Sequence, residues 1–368
     1  MKVLHAIGSL SKGGAELQCR LLAENLPTSQ YEVAILYLHE GPVSTRSHVR
    51  KLPVNRGKWG AIPSLWRRID YAVGGFMPDI VHVWLPEVVS VPAAWAAHRR
   101  GIPVVSGHRA SMCFSMFSMQ GVRDRLRYPQ YMLADRIVAN FDVEEEPILF
   151  RHLYMARKGL VIENGLDLER LRSLPFKMLP LRTVHRLIYA GRLAPEKGLP
   201  VAFHAISLLA KAGADVSLAI FGEGTAAYEA HLRSIVARLG LQERVIFLGN
   251  HQDWQAYASD ADALVFPSLG EGTSNVVLES LAIGLPVIIS DIAMTRQMLR
   301  DGANAVIVPD NDKQSWKDAI WKTISDSGLR EKIRAAGRKT ADQYSIAGMV
   351  SRYEEVYQEI VGAGKAAR

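Results

Sequence analysis

Short apolar runs that end in glycine-rich or polar turns recur along the chain, and they restrict its fold more than any other feature. In the first half they lie at residues 2–7, 32–38, 79–84, 104–106, 136–139 and 160–163. In the second half they lie at residues 186–190, 217–221, 245–248, 263–267, 287–289 and 305–308. Helical or irregular segments separate the runs. This alternation predicts an α/β fold with parallel sheets that are covered on both faces.

The length of 368 residues is comfortable for two domains. Residues 171–182 contain two prolines and no regular period, which predicts a linker. The predicted domains are therefore residues 1–171 and 184–344. Cys19 and Cys113 lack metal-ligand spacing and predict free thiols in a cytoplasmic protein. No apolar run approaches the roughly 20 residues that span a bilayer, and the apolar N-terminus is too short for a signal peptide.

The stretch from residue 262 to 289 reads as a strand, a turn and a helix that Gly284 ends. A turn that leads into a helix N-terminus presents unpaired N–H groups and the positive end of the helix dipole, which suits a phosphate. Glu271 in the turn and Glu279 in the helix could accept hydrogen bonds from the hydroxyl groups of attached sugars. The alternative is an ordinary crossover with two solvated glutamates.

Two further loops could approach a ligand. Gly13 and Gly14 precede a predicted helix and would allow close backbone approach, although a plain turn explains them as well. In the loop 191–198, Arg192 and Lys197 could clamp a diphosphate, one as a fork and one as a point charge. A surface charge pair is the alternative.

His108 and Arg109 follow a clean apolar strand and a glycine. Ligand-facing residues in parallel sheets lie just past the carboxyl ends of strands. An imidazole or guanidinium there could reach a reacting anionic or hydroxyl group. A buried structural histidine is the alternative interpretation.

The net charge of +7 is unevenly distributed. Residues 41–69 carry seven basic side chains and no acid: Arg46, Arg50, Lys51, Arg56, Lys58, Arg67 and Arg68. Residues 99–127 carry six basic side chains and one acid. The aromatic residues interleaved with these charges are Trp59, Trp66, Phe76, Phe114 and Phe117. This mixture favours an anionic membrane surface over nucleic acid, for which no recognition motif is present; a solvated basic face is the alternative.

Five motifs in order make the chain resemble the retaining, GT-B-type glycosyltransferases of family 4. They are GGAE at 13–16, ENGLDLERL at 163–171, GRLAPEKG at 191–198, FGEG at 221–224 and DALVFPSLGEGTSNVVLESLAIGLPVI at 262–288. The resemblance implies two facing Rossmann-like domains with a donor cleft between them. It also implies that a C-terminal helix at about 345–368 packs on the N-terminal domain.

The resemblance also assigns roles to individual residues. Arg192 and Lys197 would hold the diphosphate of a nucleotide sugar, Glu279 its ribose and Glu271 the hydroxyl groups of its sugar. The phosphates and sugar would be enclosed by amides near Ser274, Asn275 and Val276 and by the loop with Gly13 and Gly14. The base would lie near Gly222 and Asn250. His108 matches the active-site histidine of the family, with Arg109 as an alternative carrier of that role.

The implied activity is metal-independent, retaining sugar transfer in cell-envelope or exopolysaccharide biosynthesis. The expected donor is a UDP- or GDP-sugar, with no cofactor and no metal. The expected acceptor is a glycan or polyprenyl-diphosphate-linked sugar, reached from the cytoplasmic face of a membrane. Asp260 and Asp262 form an Asp-x-Asp pattern, which we interpret as structural because it precedes a buried strand. The alternatives are a nucleotide-sugar epimerase of the same fold and a non-catalytic homologue.

Overall fold

The computed structural model describes residues 1–10, 13–41, 45–54, 62–109, 129–144, 146, 150–251 and 253–366. The chain divides into two compact units. The first consists of Met1–Gly165 and the C-terminal helix Ile346–Ala366, and the second is Leu166–Ser345. Each unit is built around its own sheet.

Within the described residues, the first unit contains a seven-stranded parallel sheet with the order β3-β2-β1-β4-β5-β6-β7. Its strands are β1 Lys2–Ala6, β2 Glu32–Tyr37, β3 Arg50–Pro53, β4 Ile80–Val83, β5 Val104–His108, β6 Arg136–Ala139 and β7 Gly159–Val161. Its helices are α1 Gly14–Asn25, α2 Ile62–Phe76, α3 Ser90–His98 and α4 Pro129–Leu133, with a π-helical turn Arg151–Met155 that continues into a helical turn Ala156–Lys158.

Both faces of this sheet are buried, because successive strand residues point to opposite sides. Val3 packs in the core beneath α1 and the C-terminal helix, whereas its neighbour Leu4 packs in the core beneath α2, α3 and α4. The C-terminal helix lies beside α1 and contributes Tyr353 and Tyr357 to the first of these cores. This burial on two faces accounts for the continuous apolar runs in the sequence.

The second unit contains, in its described part, a six-stranded parallel sheet with the order β10-β9-β8-β11-β12-β13. Its strands are β8 His185–Ala190, β9 Val216–Phe221, β10 Val245–Gly249, β11 Ala263–Phe266, β12 Val287–Ser290 and β13 Val306–Val308. Its helices are α5 Leu168–Arg172, α6 Leu199–Lys211, α7 Ala226–Arg238, α8 Asn275–Ile283, α9 Ala293–Met298, α10 Lys313–Ser325 and α11 Ser327–Ala341, with 3-10 turns at Pro195–Lys197 and Trp254–Asp260.

The predicted α/β fold with parallel sheets is confirmed, and so is the end of α8 at Gly284, which has a φ of 80°. Strand β3 was not predicted, because its sequence, RKLP, is mostly polar and shows no alternation of apolar and polar residues. Residues 173–184 form neither helix nor strand, yet they belong to the second unit and bury Leu179 and Leu181 in its core. Among the helices of the described residues, none has the length and apolar character needed to cross a membrane.

Candidate functional site

The carboxyl ends of β8, β9 and β10 meet at a glycine-lined edge of the second sheet. The amide of Gly191 donates to the Phe221 carbonyl at 2.9 Å, and the amide of Gly222 donates to the Gly249 carbonyl at 2.8 Å. Gly222 has a φ of +147°, and a Cβ there would lie only 1.8 Å from the Gly191 carbonyl oxygen. Glycine is therefore required at this point, where two loops touch backbone to backbone.

The loop 191–198 is held in place at both ends. The Tyr189 hydroxyl donates to the Arg192 carbonyl at 2.9 Å, and burial raises the pKa of this tyrosine. At the other end, Gly198 adopts a φ of 67° as it begins α6, and a Cβ there would lie 2.0 Å from the Pro267 carbonyl oxygen. The Arg192 guanidinium pairs with Glu196 at 2.7 Å, and its side chain is 68% exposed.

Lys197 forms an ion pair with Glu271, which lies 74 residues further along the chain. Both side chains are only 14% exposed. The Ser268 hydroxyl donates to the same Glu271 carboxylate oxygen at 2.8 Å. The fold thus places a largely buried cation and a largely buried carboxylate together at the carboxyl edge of the second sheet.

Glu279 is buried on α8, and Gln255 donates a hydrogen bond to its carboxylate at 2.7 Å. Burial raises the pKa of Glu279 to about 7, against the opposing effects of the Gln255 hydrogen bond and the Arg170 charge. A carboxyl group with this pKa exchanges its proton near neutral pH, and in its ionised form it is a strong hydrogen-bond acceptor.

Ser274 is the N-cap of α8, and Asn275 and Val276 begin the helix. The Ser274 carbonyl accepts from the Leu278 amide at 3.1 Å, as the first carbonyl of a helix does. This turn is the positive end of the dipole of α8. This geometry is suited to an anion.

The two positions predicted to lie near a base are at the ends of neighbouring strands. Gly222 follows β9, and Asn250 follows β10 and is exposed. The ring of His251 meets Phe221 edge-on, with centroids 5.7 Å apart.

In the first unit, Gly13 is the N-cap of α1 and Gly14 is its first residue. A Cβ at Gly13 would lie 2.1 Å from a Glu16 carboxylate oxygen. The Glu16 side chain therefore folds back over this glycine, and a larger residue there would displace it.

His108 is the last residue of β5 and is only 2% exposed. Its Nδ1 lies 3.2 Å from the Tyr131 hydroxyl, and its ring packs on Phe150 with centroids 4.6 Å apart. Its Nε2 lies 3.8 Å from Glu146 and has no hydrogen-bond partner among the described residues.

The Arg109 guanidinium lies over the Trp84 ring, 4.6 Å from its centroid. It donates to the Asn164 side-chain oxygen at 3.1 Å and to the Tyr353 hydroxyl. His108 and Arg109 are adjacent in sequence, but they occupy different surroundings within the first unit.

The structure therefore gathers the predicted residues at two places. Those of the second unit lie around the carboxyl edge of its sheet: Arg192, Lys197, Gly222, Asn250, Glu271, Ser274, Asn275, Val276 and Glu279. Those of the first unit follow the carboxyl ends of β1 and β5: Gly13, Gly14, His108 and Arg109.

The Asp-x-Asp pattern lies at the opposite, amino-terminal edge of the second sheet. The Asp262 carboxylate accepts from the Arg186 amide at 3.0 Å, and Asp260 forms an ion pair with the Arg186 side chain at 3.0 Å. Asp260 also accepts from the Leu179 amide at 2.8 Å. In these contacts both carboxylates bind backbone or side-chain groups of the second unit. Over the described ranges, no group of three or more His, Cys, Asp or Glu side chains could hold a metal ion.

Sequence reasoning missed three residues that shape the site. Gln255 orients Glu279, Ser268 orients Glu271 and Tyr189 holds the backbone of the Arg192 loop. Ser268 and Tyr189 each lie three residues from the residue that they hold and could have been suspected. Gln255 acts through a contact that only the folded chain brings together.

The basic stretch of the first unit is structurally mixed. Lys51 lies on β3 and pairs with Glu40 at 3.1 Å, whereas Arg67 and Arg68 lie on the exposed side of α2. Phe76 is buried in the core and therefore does not contribute to the exposed surface. Five residues predicted to belong to the basic and aromatic surface lie outside the described residues: Arg56, Lys58, Trp59, Phe114 and Phe117. Cys113, predicted to be a free thiol, also lies outside them.

Two family descriptions match the chain. Residues 12–170 match Glycosyltransferase Family 4, and residues 184–326 match Glycosyl transferases group 1. Together they cover most of both units.

The similarity to individual relatives covers most of this chain and most of each relative. A phosphatidyl-myo-inositol mannosyltransferase of Mycobacterium leprae (strain TN) is 29% identical over 78% of this chain and 75% of its own length. The protein of that name from Mycobacterium tuberculosis (strain CDC 1551 / Oshkosh) is 27% identical over 96% of this chain and 94% of its own.

The fold also matches solved structures. The crystal structure of Anabaena HepE in complex with UDP-glucose superposes with a TM-score of 0.85 at 20% identity, covering 98% of this chain and all of that one. The two parallel-sheet units therefore have the GT-B α/β fold. With both halves matched in order, the chain belongs to the group 1, family 4 glycosyltransferases and is a glycosyltransferase.

Proposed function

We propose that this glycosyltransferase moves a sugar from a nucleotide-diphosphate sugar to a glycan or lipid-linked acceptor, with retention of anomeric configuration and without a metal ion. The observation that carries the proposal is the Lys197–Glu271 pair, held at the glycine-lined edge next to the N-terminus of α8. A cation and a helix N-terminus suit a diphosphate, and an adjacent carboxylate suits sugar hydroxyl groups.

Each residue then has a chemical task. Lys197 and Arg192 bind the diphosphate, and the first-turn amides of α8 add the positive end of a dipole. Glu279, in its ionised form, accepts hydrogen bonds from the ribose hydroxyl groups. Glu271 accepts from hydroxyl groups of the donor sugar, and the loops at Gly222 and Asn250 adjoin the base.

The reaction breaks the bond between the anomeric carbon and the diphosphate oxygen and forms a bond to the acceptor oxygen on the same face. Negative charge develops on the leaving diphosphate, where Lys197 and Arg192 stabilise it. The acceptor hydroxyl proton passes to a leaving phosphate oxygen, so that charge and atoms balance without a co-reactant. His108 is the proposed active-site group of the first unit, and Nε2 is the nitrogen that it would offer to a substrate, since its Nδ1 is engaged by Tyr131.

The choice of substrate class rests on the relatives. The mycobacterial relatives are named for transfer of mannose to a phosphatidylinositol, and the Anabaena structure contains UDP-glucose. We propose a UDP- or GDP-sugar donor for this chain and a lipid-linked or glycan acceptor of cell-envelope or exopolysaccharide biosynthesis. For the Gly13–Gly14 loop of the first unit we propose close backbone approach to a ligand.

Calorimetry with UDP, GDP and ADP and their common sugars tests the donor assignment. We expect one diphosphate to bind equally well with and without EDTA. Lys197→Ala should weaken its binding at least about 10-fold through loss of a charged contact, whereas Lys211→Ala, an exposed lysine at the end of α6, should not. Binding that requires a divalent metal would contradict metal independence. Conversion of the sugar nucleotide without any acceptor would instead identify an epimerase.

We also propose that the first unit docks on an anionic membrane surface through the outer side of α2, α3 and α4. This surface, here called the α2–α4 face, carries Arg67 and Arg68 together with the exposed apolar side chains Tyr71, Trp95 and Met132. Tyr71 is 82% exposed. Basic and aromatic residues on one helical surface suit anionic lipid headgroups.

Sedimentation with vesicles tests this docking. At low salt the protein should sediment with phosphatidylglycerol-containing vesicles and not with pure phosphatidylcholine. Arg67→Glu with Arg68→Glu should abolish sedimentation, whereas Arg238→Glu on the second unit should not. If the wild-type protein stays in the supernatant with anionic vesicles, the membrane proposal is wrong, and the donor assignment is unaffected.

A further inference from the structure

Arg109 is held by three partners that belong to different parts of the first unit. Its guanidinium lies over Trp84, which follows β4, and it donates to Asn164 and to Tyr353. We infer that Arg109 is a positioning residue that ties the end of β5, where His108 lies, to both segments that connect the first unit to the second.

The first connecting segment is residues 161–165, after which the chain enters the second unit. It is held along its length. Arg352 of the C-terminal helix donates to its beginning, and Arg109 donates to Asn164 near its end. Gln18, buried on α1, binds both backbone groups of Gly165, donating to its carbonyl at 3.0 Å and accepting from its amide at 2.9 Å.

The second connecting segment is the C-terminal helix, which begins one residue after the second unit ends. The Tyr353 hydroxyl that accepts from Arg109 lies on this helix and is fully buried. The Arg109 guanidinium thus contacts the first and the second connecting segment at the same time. Both contacts are made by the residue next to His108.

The surface beneath Arg109 is uncharged and joined by hydrogen bonds. The Trp84 indole donates to His5 at 3.0 Å and stacks on His82 with centroids 4.5 Å apart. His82 is in turn hydrogen-bonded to Tyr357 at 2.7 Å. Burial lowers the pKa of His5 to about 3 and holds that of His82 well below its ordinary value, so both rings are neutral at physiological pH.

Only a planar, forked cation fits these contacts. A guanidinium can stack on Trp84 while its two terminal nitrogens donate in different directions, whereas the ammonium of lysine is a point charge on a flexible stem. The Nε of Arg109 is buried without a hydrogen-bond partner among the described residues, which is a cost. The contacts of its two terminal nitrogens offset this cost.

The catalytic consequence rests on the proposed role of His108. If Arg109 fixes the end of β5 relative to the two connecting segments, Arg109→Lys should displace His108 while it leaves the proposed donor contacts of the second unit in place. A small displacement of a reacting group lowers kcat by about 10- to 100-fold. The KM for the donor should stay within about 3-fold, since the donor contacts of the second unit are unchanged.

Arg352→Lys is the matched control. Arg352 holds the same connecting segment through Glu163 and the Val161 carbonyl, but it lies on the C-terminal helix and not at the end of β5. A purely stabilising role predicts the same effect for both substitutions. The inference predicts that only Arg109→Lys lowers kcat. The inference is overturned if the kcat of the Arg109→Lys variant stays within about 3-fold of the kcat of the Arg352→Lys variant.

Hydrogen exchange followed by mass spectrometry gives a readout that does not need activity. Arg109→Lys should speed exchange in residues 104–108 and 161–165, whereas Arg352→Lys should do so only in residues 161–165. Unchanged exchange in 104–108 would refute the coupling. Should Arg109→Lys fail to fold, Tyr353→Phe removes one of the contacts and should show the same pattern at smaller amplitude. If the wild-type protein transfers no sugar, the proposed function fails, and the exchange comparison still decides this inference.

Discussion

The buried carboxyl group of Glu279 predicts that Glu279→Gln makes the free protein more stable above neutral pH while it weakens donor binding. Glutamine has nearly the same shape and removes only the ionisation. The hydrogen bond that Gln255 donates can remain, because the amide oxygen of the new side chain can accept it. The substitution therefore isolates the free energy of placing a charge at this position.

The magnitude follows from the pKa of Glu279, which burial raises from 4.5 to about 7. Because the folded state holds this proton more tightly than the unfolded chain does, ionisation favours unfolding. The resulting loss of stability begins near pH 4.5, grows as the pH rises and is complete above pH 7. At ~1.4 kcal/mol per pH unit, the wild-type protein loses about 3 kcal/mol between these limits.

Urea unfolding of both proteins at several pH values measures this difference. Glu279→Gln should exceed the wild type by up to about 3 kcal/mol at pH 8 and by less than about 1 kcal/mol at pH 5. Donor affinity should fall in the same variant by about 10- to 100-fold, through loss of charge-assisted hydrogen bonds. Glu243→Gln, at an exposed position of the same unit, should change neither quantity. A stability gap that is the same at pH 5 and pH 8 would refute the reasoning.

Three further substitutions test other parts of the second unit. Gly222→Ala should destabilise the fold by about 3 kcal/mol or more, because its methyl group would overlap the Gly191 carbonyl at a positive φ, and urea unfolding measures this loss. Lys197→Met should cost about 3 kcal/mol by leaving the Glu271 carboxylate buried and unpaired, and adding Glu271→Gln should recover most of that loss in the same assay. Asp260→Asn should lower stability by about 1–2 kcal/mol yet leave diphosphate affinity in calorimetry unchanged, since its contacts lie at the amino-terminal edge of the sheet.

The parallel α/β fold could be predicted because its evidence is local. Each buried strand is an apolar run, and each turn at its carboxyl end carries glycine or polar residues. Strand β3 could not be predicted in this way, since RKLP gains its strand conformation only by pairing along β2. Its register, with Arg50 opposite Ala34, depends on a neighbour that is distant in sequence.

In the candidate site, too, local features could be predicted from sequence and contacts between distant residues could not. Glu271, Glu279 and Lys197 could be selected as candidates from sequence, because Glu271 and Lys197 lie in turns after strands and Glu279 lies in the helix that follows one of these turns. The contacts of each side chain could not be predicted from sequence. Glu279 meets Gln255 from a separate 3-10 turn, and Arg109, which was considered as a substrate-contacting group, is occupied by Trp84, Asn164 and Tyr353.

The ion pair of Lys197 with Glu271 links two recognition tasks that are usually considered separately. In the free protein the carboxylate already holds the ammonium group in a fixed position, so less side-chain freedom remains to be lost when a diphosphate binds. The same carboxylate is the proposed acceptor for hydroxyl groups of the donor sugar. Ser268 fixes its orientation independently of Lys197, and this keeps one oxygen directed even while the lysine turns toward a phosphate. If sugar and diphosphate bind as proposed, both act on this one ion pair, and a change in the sugar should alter the affinity for the diphosphate that carries it.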